Sequence, residues 1–406
     1  MSAIAKELVE PVISVVVVQP TPFCNINCNY CYLPGRSNKA TMAPETLRAL
    51  FDKVFASGWA CEELTVIWHA GEPLVMPVSY YQEAFSLIES LRPAHVKVRH
   101  SFQTNGTLLS QAWCELFKTW QVGVGVSIDG PQRFNDAHRL GRNGRSTYDK
   151  AVAGLRLLRS EEVPFHVISV LTDQSLDSPQ EMLDFYVAEG IENVCFNVEE
   201  SEGDHVSELF ASQAPRERFE RFLGHFWREA RRDDRVQFIR EIDGIIPRVF
   251  RPGTDEMKNV QVEPFAMLNV DCRGNVSSFS PELLGLKNAA YNDFIIGNVL
   301  TDSLEQMRSS EVMRAMTRDI AAGVARCSAS CEYFSVCGGG APVNKLTENG
   351  SFDTERTGFC ELTQMVPTDL ILGAFEHLQQ GVHEQDIPQL LRDFSRPATL
   401  TPELTV

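Results

Sequence analysis

The sequence predicts an α/β protein in which a parallel sheet, closed or partly closed into a barrel, precedes a smaller cysteine-rich unit. The first observation is that six strand-like segments alternate with helix-like segments over roughly the first 200 residues, as in repeated strand–helix units. The second is a change of texture from about Pro264, where short segments, glycines and cysteines begin. A unit this small has too small a hydrophobic core to be stable without further support, and we expect bound metal to stabilise it.

Each strand is predicted from a short apolar or β-branched run, and each helix from apolar residues at helical spacing. The predicted strands are Val12–Gln19, Leu64–Trp68, Val96–Phe102, Val122–Ile128, Phe165–Leu171 and Val194–Asn197. The predicted helices are Pro44–Ser57, Ser79–Leu91, Ser110–Thr119, Tyr148–Arg159, Pro179–Ala188 and Pro215–Arg232. The charged face of the last helix indicates a solvated flank. Because barrels of this kind carry their chemistry in the loops after the strands, we look for functional residues there.

These elements divide the chain into five parts. We expect an N-terminal segment at 1–10, a barrel at 11–235, a bridging region at 236–263, a cysteine-rich domain at 264–378 and a tail at 379–406. The tail contains several prolines and residues of mixed polarity, and we expect an arm or partial disorder there.

Composition excludes several classes of function. The 406 residues include 37 Lys and Arg against 54 Asp and Glu, a formal net charge of −17, which argues against a nucleic-acid partner. No apolar run approaches the roughly 20 residues that a membrane span needs. The first ten residues lack the basic end and apolar region of a signal peptide, so we expect a cytoplasmic protein with no membrane partner.

Eleven cysteines are the unusual feature of the composition. An odd number without an export signal favours metal, redox or buried-thiol roles over disulfides. Four cysteines stand alone in the sequence and are predicted to be small buried hydrophobic residues. These are Cys61, Cys114, Cys195 and Cys272. The other seven form two groups.

The first group is a C-x3-C-x2-C pattern, Cys24, Cys28 and Cys31, directly after the first predicted strand. Three thiolates on one loop can converge on a single metal centre. Zinc usually takes four protein ligands in structural sites, and a cubane iron-sulfur cluster takes four cysteines, so three thiolates leave one iron open. An open iron can bind a further ligand.

This pattern on this loop resembles the radical S-adenosylmethionine (SAM) superfamily. The resemblance implies a partial (β/α)6 TIM-type barrel and a [4Fe-4S] cluster, held by the three cysteines, whose open iron binds SAM. It also implies reductive cleavage of SAM to methionine and a 5′-deoxyadenosyl radical, which takes a hydrogen atom from the substrate. Tyr30 matches the family position that lies beside the adenine.

Three further loops resemble SAM-binding positions of that superfamily. The segment from His69 to Pro73 is similar to the family's GGEP motif, in which Gly71 and Glu72 would receive the SAM ammonium group. We expect that Ala70 replaces nothing essential, because a small residue still permits close approach. The loops after the third and fourth strands carry the other polar residues that the resemblance assigns to SAM, which are Asn105, Ser127 and Asp129.

The second cysteine group offers four thiolates, enough to close a metal site completely. Its members are Cys327, Cys331, Cys337 and Cys360. Their spacing fits structural zinc as well as an iron-sulfur cluster. The order resembles the C-terminal SPASM domain of radical SAM peptide maturases, which holds two auxiliary clusters. Here Phe279 and Ala341 stand where two of that domain's cysteines are expected, and we therefore predict one auxiliary [4Fe-4S] cluster.

Segments around Phe196–Glu200, Phe279–Leu283 and Cys337–Lys345 resemble maturases that form three-residue cyclophanes, of the Grr/Xye/FxsB kind and closest to the Grr type. The resemblance implies a ribosomal precursor peptide with a leader, and a carbon–carbon bond between an aromatic ring and a β-carbon. It also implies a flavodoxin- or ferredoxin-like electron donor. The reaction needs a base, and the candidates are Glu282, Glu199 and Glu200.

Two alternatives stay open. One is an anaerobic sulfatase-maturing enzyme, which oxidises a Ser or Cys to formylglycine; Ser280 stands where that family has an acidic residue, which counts against it. The other is a non-catalytic peptide-binding protein with structural metal.

Overall fold

One mixed sheet organises the molecule in the computed structural model, which describes residues 10–201, 205–250 and 259–381. Its strand order is β10-β9-β8-β1-β2-β3-β4-β5-β6-β7. The strands are β1 Ile13–Val18, β2 Ala60–Trp68, β3 Lys97–Thr104, β4 Gly123–Ser127, β5 Phe165–Leu171, β6 Asn193–Val198, β7 Phe238–Ile239, β8 Met267–Val270, β9 Asn275–Ser278 and β10 Gly297–Asn298. Neighbours from β8 through β1 to β7 are parallel, and β9 and β10 are antiparallel.

Helices connect the parallel strands, as the alternation in the sequence predicts. In the first half they are α1 Pro44–Ala56, α2 Val78–Leu91, α3 Gln111–Trp120, α4 Gln132–His138, α5 Tyr148–Ser160, α6 Pro179–Glu189, α7 Glu208–Ala211 and α8 Pro215–Asp233. In the second half they are α9 Arg240–Asp243, α10 Ile246–Phe250, α11 Leu304–Arg308, α12 Glu311–Ser330, α13 Phe334–Cys337, α14 Pro342–Asn349, α15 Gly358–Cys360 and α16 Val366–Gly381. A π-helical turn at Glu361–Met365 precedes α16, and 3-10 turns occupy Pro73–Val75, Pro281–Leu283 and Ala289–Phe294.

The α/β fold and all six predicted strand–helix units are confirmed, with boundaries that move by a few residues. The core lies between the sheet and the helices. Trp68 and Phe102 project from β2 and β3 onto Tyr81 of α2, with ring centroids 5.1 and 4.8 Å from the Tyr81 ring. The predicted flanking helix α8 buries one face, including Phe219 and Phe226, and leaves its charges outside.

The parallel part of the sheet is wider than six strands. The short strand β7 extends it beyond β6, and β8 pairs with β1 in parallel register, Val15 opposite Met267. β8 belongs to the cysteine-rich region of the sequence, and yet it lies next to the first strand of the barrel. No local pattern predicts this pairing, because it joins residues about 250 positions apart.

Two of the four solitary cysteines differ from the prediction. Cys114 and Cys195 are fully buried, as predicted. Cys61 and Cys272 are only half-buried, because Cys61 lies near the start of β2, where the strand leaves the core, and Cys272 lies in the turn between β8 and β9. The helical residues after the π-turn continue to Gly381, and the tail predicted beyond them lies outside the described residues.

Among the described helices, none combines the length and apolar character that crossing a membrane demands.

Candidate active site

A cavity of about 210 Å³ opens where the parallel strands end. The first cysteine group lies on its wall, as do the loops after β2, β3, β4 and β6. Of the residues singled out in the sequence, it brings together Cys24, Cys28, Cys31, Tyr30, Gly71, Glu72, Asn105, Ser127, Glu199, Glu200 and Glu282. Asp129 lies behind the wall, at 2% exposure.

The cysteine loop is held by the segment that follows α4. Ile26 and Gly141 form an antiparallel bridge, and the Asn27 amide donates to the carbonyl of Leu140 at 2.7 Å. Arg142 donates through Nε to the carbonyl of Cys24 at 2.6 Å. These bonds fix the backbone of the loop without using its thiols, which remain turned to the cavity.

The thiols of this loop suit a cluster that replaces their protons. Burial, with a further contribution from the Glu72 charge, raises the pKa of Cys24 to about 11. Burial raises the pKa of Cys28 to about 12, although the charge of Arg139 opposes that shift. Without metal both thiols are protonated at neutral pH, so binding of iron must release protons. The donor set thus fits three ligands of a [4Fe-4S] cluster.

Within the described ranges, no three Cys, His, Asp or Glu side chains form a group placed to hold a single metal ion. The thiolates of a cubane cluster each bind a different iron, and therefore need not surround one point.

The His69–Pro73 loop packs directly on the cysteine loop. The Glu72 amide donates to the Phe23 carbonyl at 2.8 Å. Gly71 has φ +58°, and a Cβ there would lie 2.5 Å from the same carbonyl oxygen, so only glycine fits. Ala70, at the first glycine position of that motif, has φ +69°, a backbone conformation that the motif by itself did not indicate. That left-handed conformation costs a residue with a Cβ about 1 kcal/mol or more.

The Glu72 carboxylate joins the loops after β2 and β3. Oε1 accepts from the Leu74 amide at 2.9 Å and from the Thr104 hydroxyl at 2.7 Å, and Oε2 accepts from the Asn105 amide at 2.8 Å. Burial raises the pKa of Glu72 to about 7, against the effect of these hydrogen bonds. A carboxylate has about four acceptor positions, so one on Oε2 stays open for a ligand cation such as an ammonium group.

Half-buried Tyr30, which lines the cavity, is bonded to Asp129, which is buried behind it. The Tyr30 hydroxyl donates to Asp129 Oδ2 at 2.6 Å, and Arg139 pairs with the same oxygen at 3.0 Å. Asp129 Oδ1 accepts from the Val170 amide at 3.0 Å. Asp129 therefore joins the end of β4 to β5 and holds the Tyr30 ring, which lines the cavity, so its effect on a ligand is indirect.

Asn105 and Ser127 present polar atoms beside the cluster loop. The Asn105 side chain donates through Nδ2 to Asn25 Oδ1 at 2.9 Å, and the same Nδ2 lies 3.8 Å from Cys24 Sγ. Ser127 Oγ accepts from Gln103 Nε2 at 2.7 Å and keeps its own proton for another acceptor. Both residues line the cavity, and a role for them in binding SAM stays a prediction.

The three candidate bases separate into two kinds. Glu199 is 2% exposed and accepts from His205 Nε2 at 2.9 Å and from the Leu209 amide at 3.2 Å, which ties it to the start of α7. Glu200 and Glu282 instead lie close together at the cavity. Burial and the neighbouring charge of Glu282 raise the pKa of Glu200 to about 8.

The pKa of Glu282 is also raised by burial, while a hydrogen bond from the Ser280 hydroxyl opposes the shift. Two neighbouring like charges repel, so ionisation of either carboxyl disfavours ionisation of the other. The Glu199 carboxylate is already occupied by donors from its own loop, which leaves Glu200 and Glu282 as the more accessible candidate bases.

The second cysteine group surrounds the end of α12. Cys327 lies in its last turn, Cys331 just after it and Cys337 at the end of α13. Burial raises the pKa of Cys337, and the charges of Cys331 and Cys327 raise it further. Burial raises the pKa of Cys360, with smaller contributions from Cys337 and Cys331. The four thiols are thus electrostatic neighbours, and as a donor set they fit one four-cysteine cluster.

Three consecutive glycines let the chain turn tightly at this site. Gly338, Gly339 and Gly340 have φ of +64°, +109° and +73°, which residues with a Cβ rarely adopt. Phe279, at the position of a SPASM cysteine, is fully buried in the hydrophobic core at φ +74°. Its ring occupies the space beside the sheet, which is consistent with the loss of a cluster ligand there.

Sequence reasoning assigned no role to three residues that the structure places at these sites. His69 lines the cavity, burial lowers its pKa to about 4, and its buried Nδ1 has no hydrogen-bond partner in the described ranges. Asn344 donates to Glu200, and Lys345 donates through Nζ to Cys327 Sγ at 3.2 Å. Asn344 and Lys345 stand in a quoted motif, but only the fold shows that they connect the two sites.

Comparison with known proteins gives related sequences over most of the chain. The model of the Radical SAM superfamily matches residues 18–186. An uncharacterized protein of Synechocystis is 36% identical over 368 residues, which are 89% of this chain and 92% of that protein. A serine-type anaerobic sulfatase-maturating enzyme of Klebsiella aerogenes is 30% identical over 232 residues, 56% of this chain and 57% of that enzyme.

Solved structures share the fold. The structure of anSMEcpe with bound AdoMet and Cp18Cys peptide has a TM-score of 0.72 at 18% identity, covering 91% of this chain and 98% of that one. SuiB of Streptococcus suis bound to precursor peptide SuiA has a TM-score of 0.61 at 14% identity, covering 88% and 78%. At these identities the likeness concerns the fold.

Proposed function

Because this chain belongs to the radical SAM superfamily, we propose that it oxidises a ribosomally made precursor peptide, joining an aromatic ring carbon to the β-carbon of a nearby residue. The observation that supports the proposal is that one cavity is lined both by the cysteine loop and by Glu200 and Glu282. A peptide substrate is supported by relatives of the same fold, one of which is bound to a precursor peptide.

The chain's own residues bind and orient in this scheme. Cys24, Cys28 and Cys31 hold the first cluster, and Glu72, with its open acceptor position, receives the ammonium group of SAM. When bound, this cluster and SAM supply a carbon radical that accepts a hydrogen atom. Asn105 and Ser127 provide further polar contacts, and the buried Asp129 keeps the Tyr30 ring against the cavity.

The Glu200–Glu282 pair serves as the proton acceptor. Forming the ring-to-β-carbon bond removes two hydrogens from the peptide: one leaves as a hydrogen atom, the other as a proton and an electron. A general base must be near the site of reaction, and its pKa is best near the working pH. Glu200 meets both conditions, since it lines the cavity and its pKa is raised by burial to about 8.

The second cysteine group would hold the cluster that takes up the electron released by the peptide. Cys327, Cys331, Cys337 and Cys360 would hold one auxiliary [4Fe-4S] cluster, whose chemistry there is one-electron transfer. Asn344, which bonds Glu200, is followed by Lys345, which bonds Cys327. Helix α14 therefore joins the proton acceptor to the auxiliary site through two adjacent residues.

Anaerobic reconstitution and co-expression test the proposal. The precursor is sought among short neighbouring reading frames, where we expect one that encodes repeated aromatic tripeptides. Tandem mass spectrometry after co-expression should then show loss of two hydrogens per ring with a crosslinked fragment pattern. Zinc in place of iron, with no reductive release of 5′-deoxyadenosine, contradicts the enzyme function and favours a peptide-binding protein with structural metal.

Formylglycine formation is the second candidate, favoured by the 30% identity to the Klebsiella enzyme. Although Ser280 replaces an acidic residue of that family, Glu282 supplies a carboxylate from the same loop to the cavity. Oxidation of serine to formylglycine also removes two hydrogens, so mass alone does not separate the candidates. Reaction of the product with a hydrazide does, because only formylglycine carries an aldehyde.

A further inference from the structure

Two loops of this acidic protein carry cations and no acids. Residues 23–39 and 139–148 number 27 together, contain no Asp or Glu, and contain five cationic residues, whereas the chain as a whole has 54 acids to 37 bases. The five are Arg36, Lys39, Arg139, Arg142 and Arg145. The first loop is the one that bears the cluster cysteines.

The fold brings these loops into one surface. Beyond the bridge between Ile26 and Gly141, Arg142 donates to the carbonyls of Cys24 and Arg36 and to the hydroxyl of Ser37. Lys39 Nζ and the Arg142 guanidinium lie 5.4 and 5.0 Å from the centre of the Phe23 ring.

The cations on this surface differ in exposure. Arg139 is turned inward and pairs with buried Asp129, so it adds little to the exterior. Lys39, Arg142 and Arg145 are exposed, and Arg36 is half-buried with a bond to the Cys28 carbonyl at 2.8 Å. We name these four residues the basic face. At its edge, Asp136 accepts a hydrogen bond from Ser146 at 2.8 Å.

We propose that the basic face is the docking surface for a small acidic one-electron carrier protein, which delivers the electron that the first cluster needs. The inference rests on the proposed function, since it presumes that cluster. Two cluster cysteines accept hydrogen bonds from arginines of the face, so a carrier seated there lies one side chain from the ligands. A local positive surface on a protein of net charge −17 attracts an acidic partner that the remaining surface repels.

The transfer is a one-electron exchange. A reduced flavin hydroquinone of the carrier is oxidised to the semiquinone, and the oxidised cluster is reduced, with no bond to the peptide formed or broken. The competing occupant is an acidic segment of the precursor peptide, and the experiment separates the two.

The test is the double variant Lys39→Glu with Arg145→Glu, which changes the charge of the face without touching Arg36 or Arg142, the residues that hold the cluster loop. Purified flavodoxin hydroquinone is mixed anaerobically with the reconstituted enzyme, and bleaching of the cluster absorption is followed at low salt. We expect the rate to fall about tenfold or more, and its salt dependence to weaken.

The matched control is Lys287→Glu with Arg318→Glu, which makes the same change of charge at exposed residues elsewhere on the chain. Flavodoxin should reduce the cluster of this control variant as fast as that of the wild type. Dithionite should reduce every variant equally and support equal release of 5′-deoxyadenosine.

If flavodoxin reduces the cluster of the Lys39/Arg145 variant as fast as that of the wild type, the proposal is overturned. It is also overturned if the control variant loses as much of this rate as the Lys39/Arg145 variant does. So does a variant that reduces normally but binds precursor peptide more weakly, because the face then belongs to the peptide. If the wild type releases no 5′-deoxyadenosine with dithionite, the proposed function fails, and that result is independent of the docking comparison.

Discussion

Among single residues, Glu200 and Glu282 form the proposed proton acceptor of the cavity. Each carboxyl alone is an ordinary surface acid in the sequence. Together, with Asn344 bonded to Glu200 and Ser280 to Glu282, they line one cavity, and burial disfavours a charge on either carboxyl. The raised pKa values thus come mainly from burial, with the Glu282 charge adding to that of Glu200, in a pair that the fold assembles from two distant loops.

Replacing Glu282 by Gln should shift the pH dependence of peptide modification to lower pH. Glu200 acts as an anion, so modification rises with pH through its pKa, which lies at about 8. Removing the neighbouring charge lowers that pKa, and the rise then begins earlier. The measurement is the ratio of modified peptide to 5′-deoxyadenosine from pH 6 to 9.

Glu200→Gln should abolish most modification while SAM cleavage continues, and exposed Glu332→Gln should change neither. An unshifted profile in Glu282→Gln shows that the charge of Glu282 does not raise the pKa of Glu200.

Lys345 is a second residue whose effect can be measured directly. It is 4% exposed and donates to Cys327 Sγ, so its charge stabilises extra negative charge on a cluster at that site. Lys345→Met should lower the midpoint potential of the auxiliary cluster by about 60 mV, equivalent to tenfold in a one-electron equilibrium. The readout is a redox titration followed by electron paramagnetic resonance, in protein that lacks the first three cysteines.

Lys345→Gln keeps a hydrogen-bond donor but no charge, so its midpoint potential should lie between those of the wild type and Lys345→Met. The surface variant Lys287→Met should not shift the potential. Equal potentials in the wild type and Lys345→Met, with full iron content, rule out this role for the lysine.

At the scale of elements, the loops after β1 and β2 act as one unit. The Glu72 amide bonds Phe23, and Glu72 then bonds the loop after β3, so the position of the cysteines depends on the loop after β2. Gly71 is the point of closest approach, and Ala70 beside it already carries left-handed strain.

Gly71→Ala should displace the cysteine loop and lower the iron content of the first site. The new Cβ meets the Phe23 carbonyl at 2.5 Å, and the residue also has φ +58°. Gly144→Ala is the control, because Gly144 has φ +72° but no atom within 4 Å of the added Cβ. It should cost only about 1 kcal/mol of backbone strain and keep all its iron. Iron analysis and thermal unfolding are measured for both variants. Equal losses of iron and of stability in Gly71→Ala and Gly144→Ala would refute the contact argument.

At the scale of the whole molecule, one continuous sheet contains both the strand before the first cysteine group and three strands of the region that holds the second. β8 joins the region of the second group to β1, and the first group follows β1 directly. α14 then returns from the second group to the cavity, where Asn344 meets Glu200. The two sites are thus parts of a single framework, although the sequence separates them by about 300 residues.

Replacing Cys24, Cys28 and Cys31 together by Ala should remove about four of roughly eight irons and abolish SAM cleavage. Replacing Cys327, Cys331, Cys337 and Cys360 together should remove the other four while leaving the spectrum of the first cluster. Iron and sulfide analysis with 5′-deoxyadenosine assays measures both. Twelve irons in the wild type contradict a single auxiliary cluster, and SAM cleavage in the triple variant contradicts the assignment of the first.

The alternating strand–helix framework could be predicted from the amino-acid order because periodicity is local, and so could the cysteine motifs, because ligands on one loop lie close in the chain. The polar loop residues could also be predicted, since parallel strands end at one edge of the sheet. The proximity of Glu200 to Glu282, the contact of Lys345 with Cys327 and the pairing of β8 with β1 became visible only in the folded molecule. These contacts depend on how distant segments pack against each other, and such packing produces no local sequence pattern from which it could be predicted.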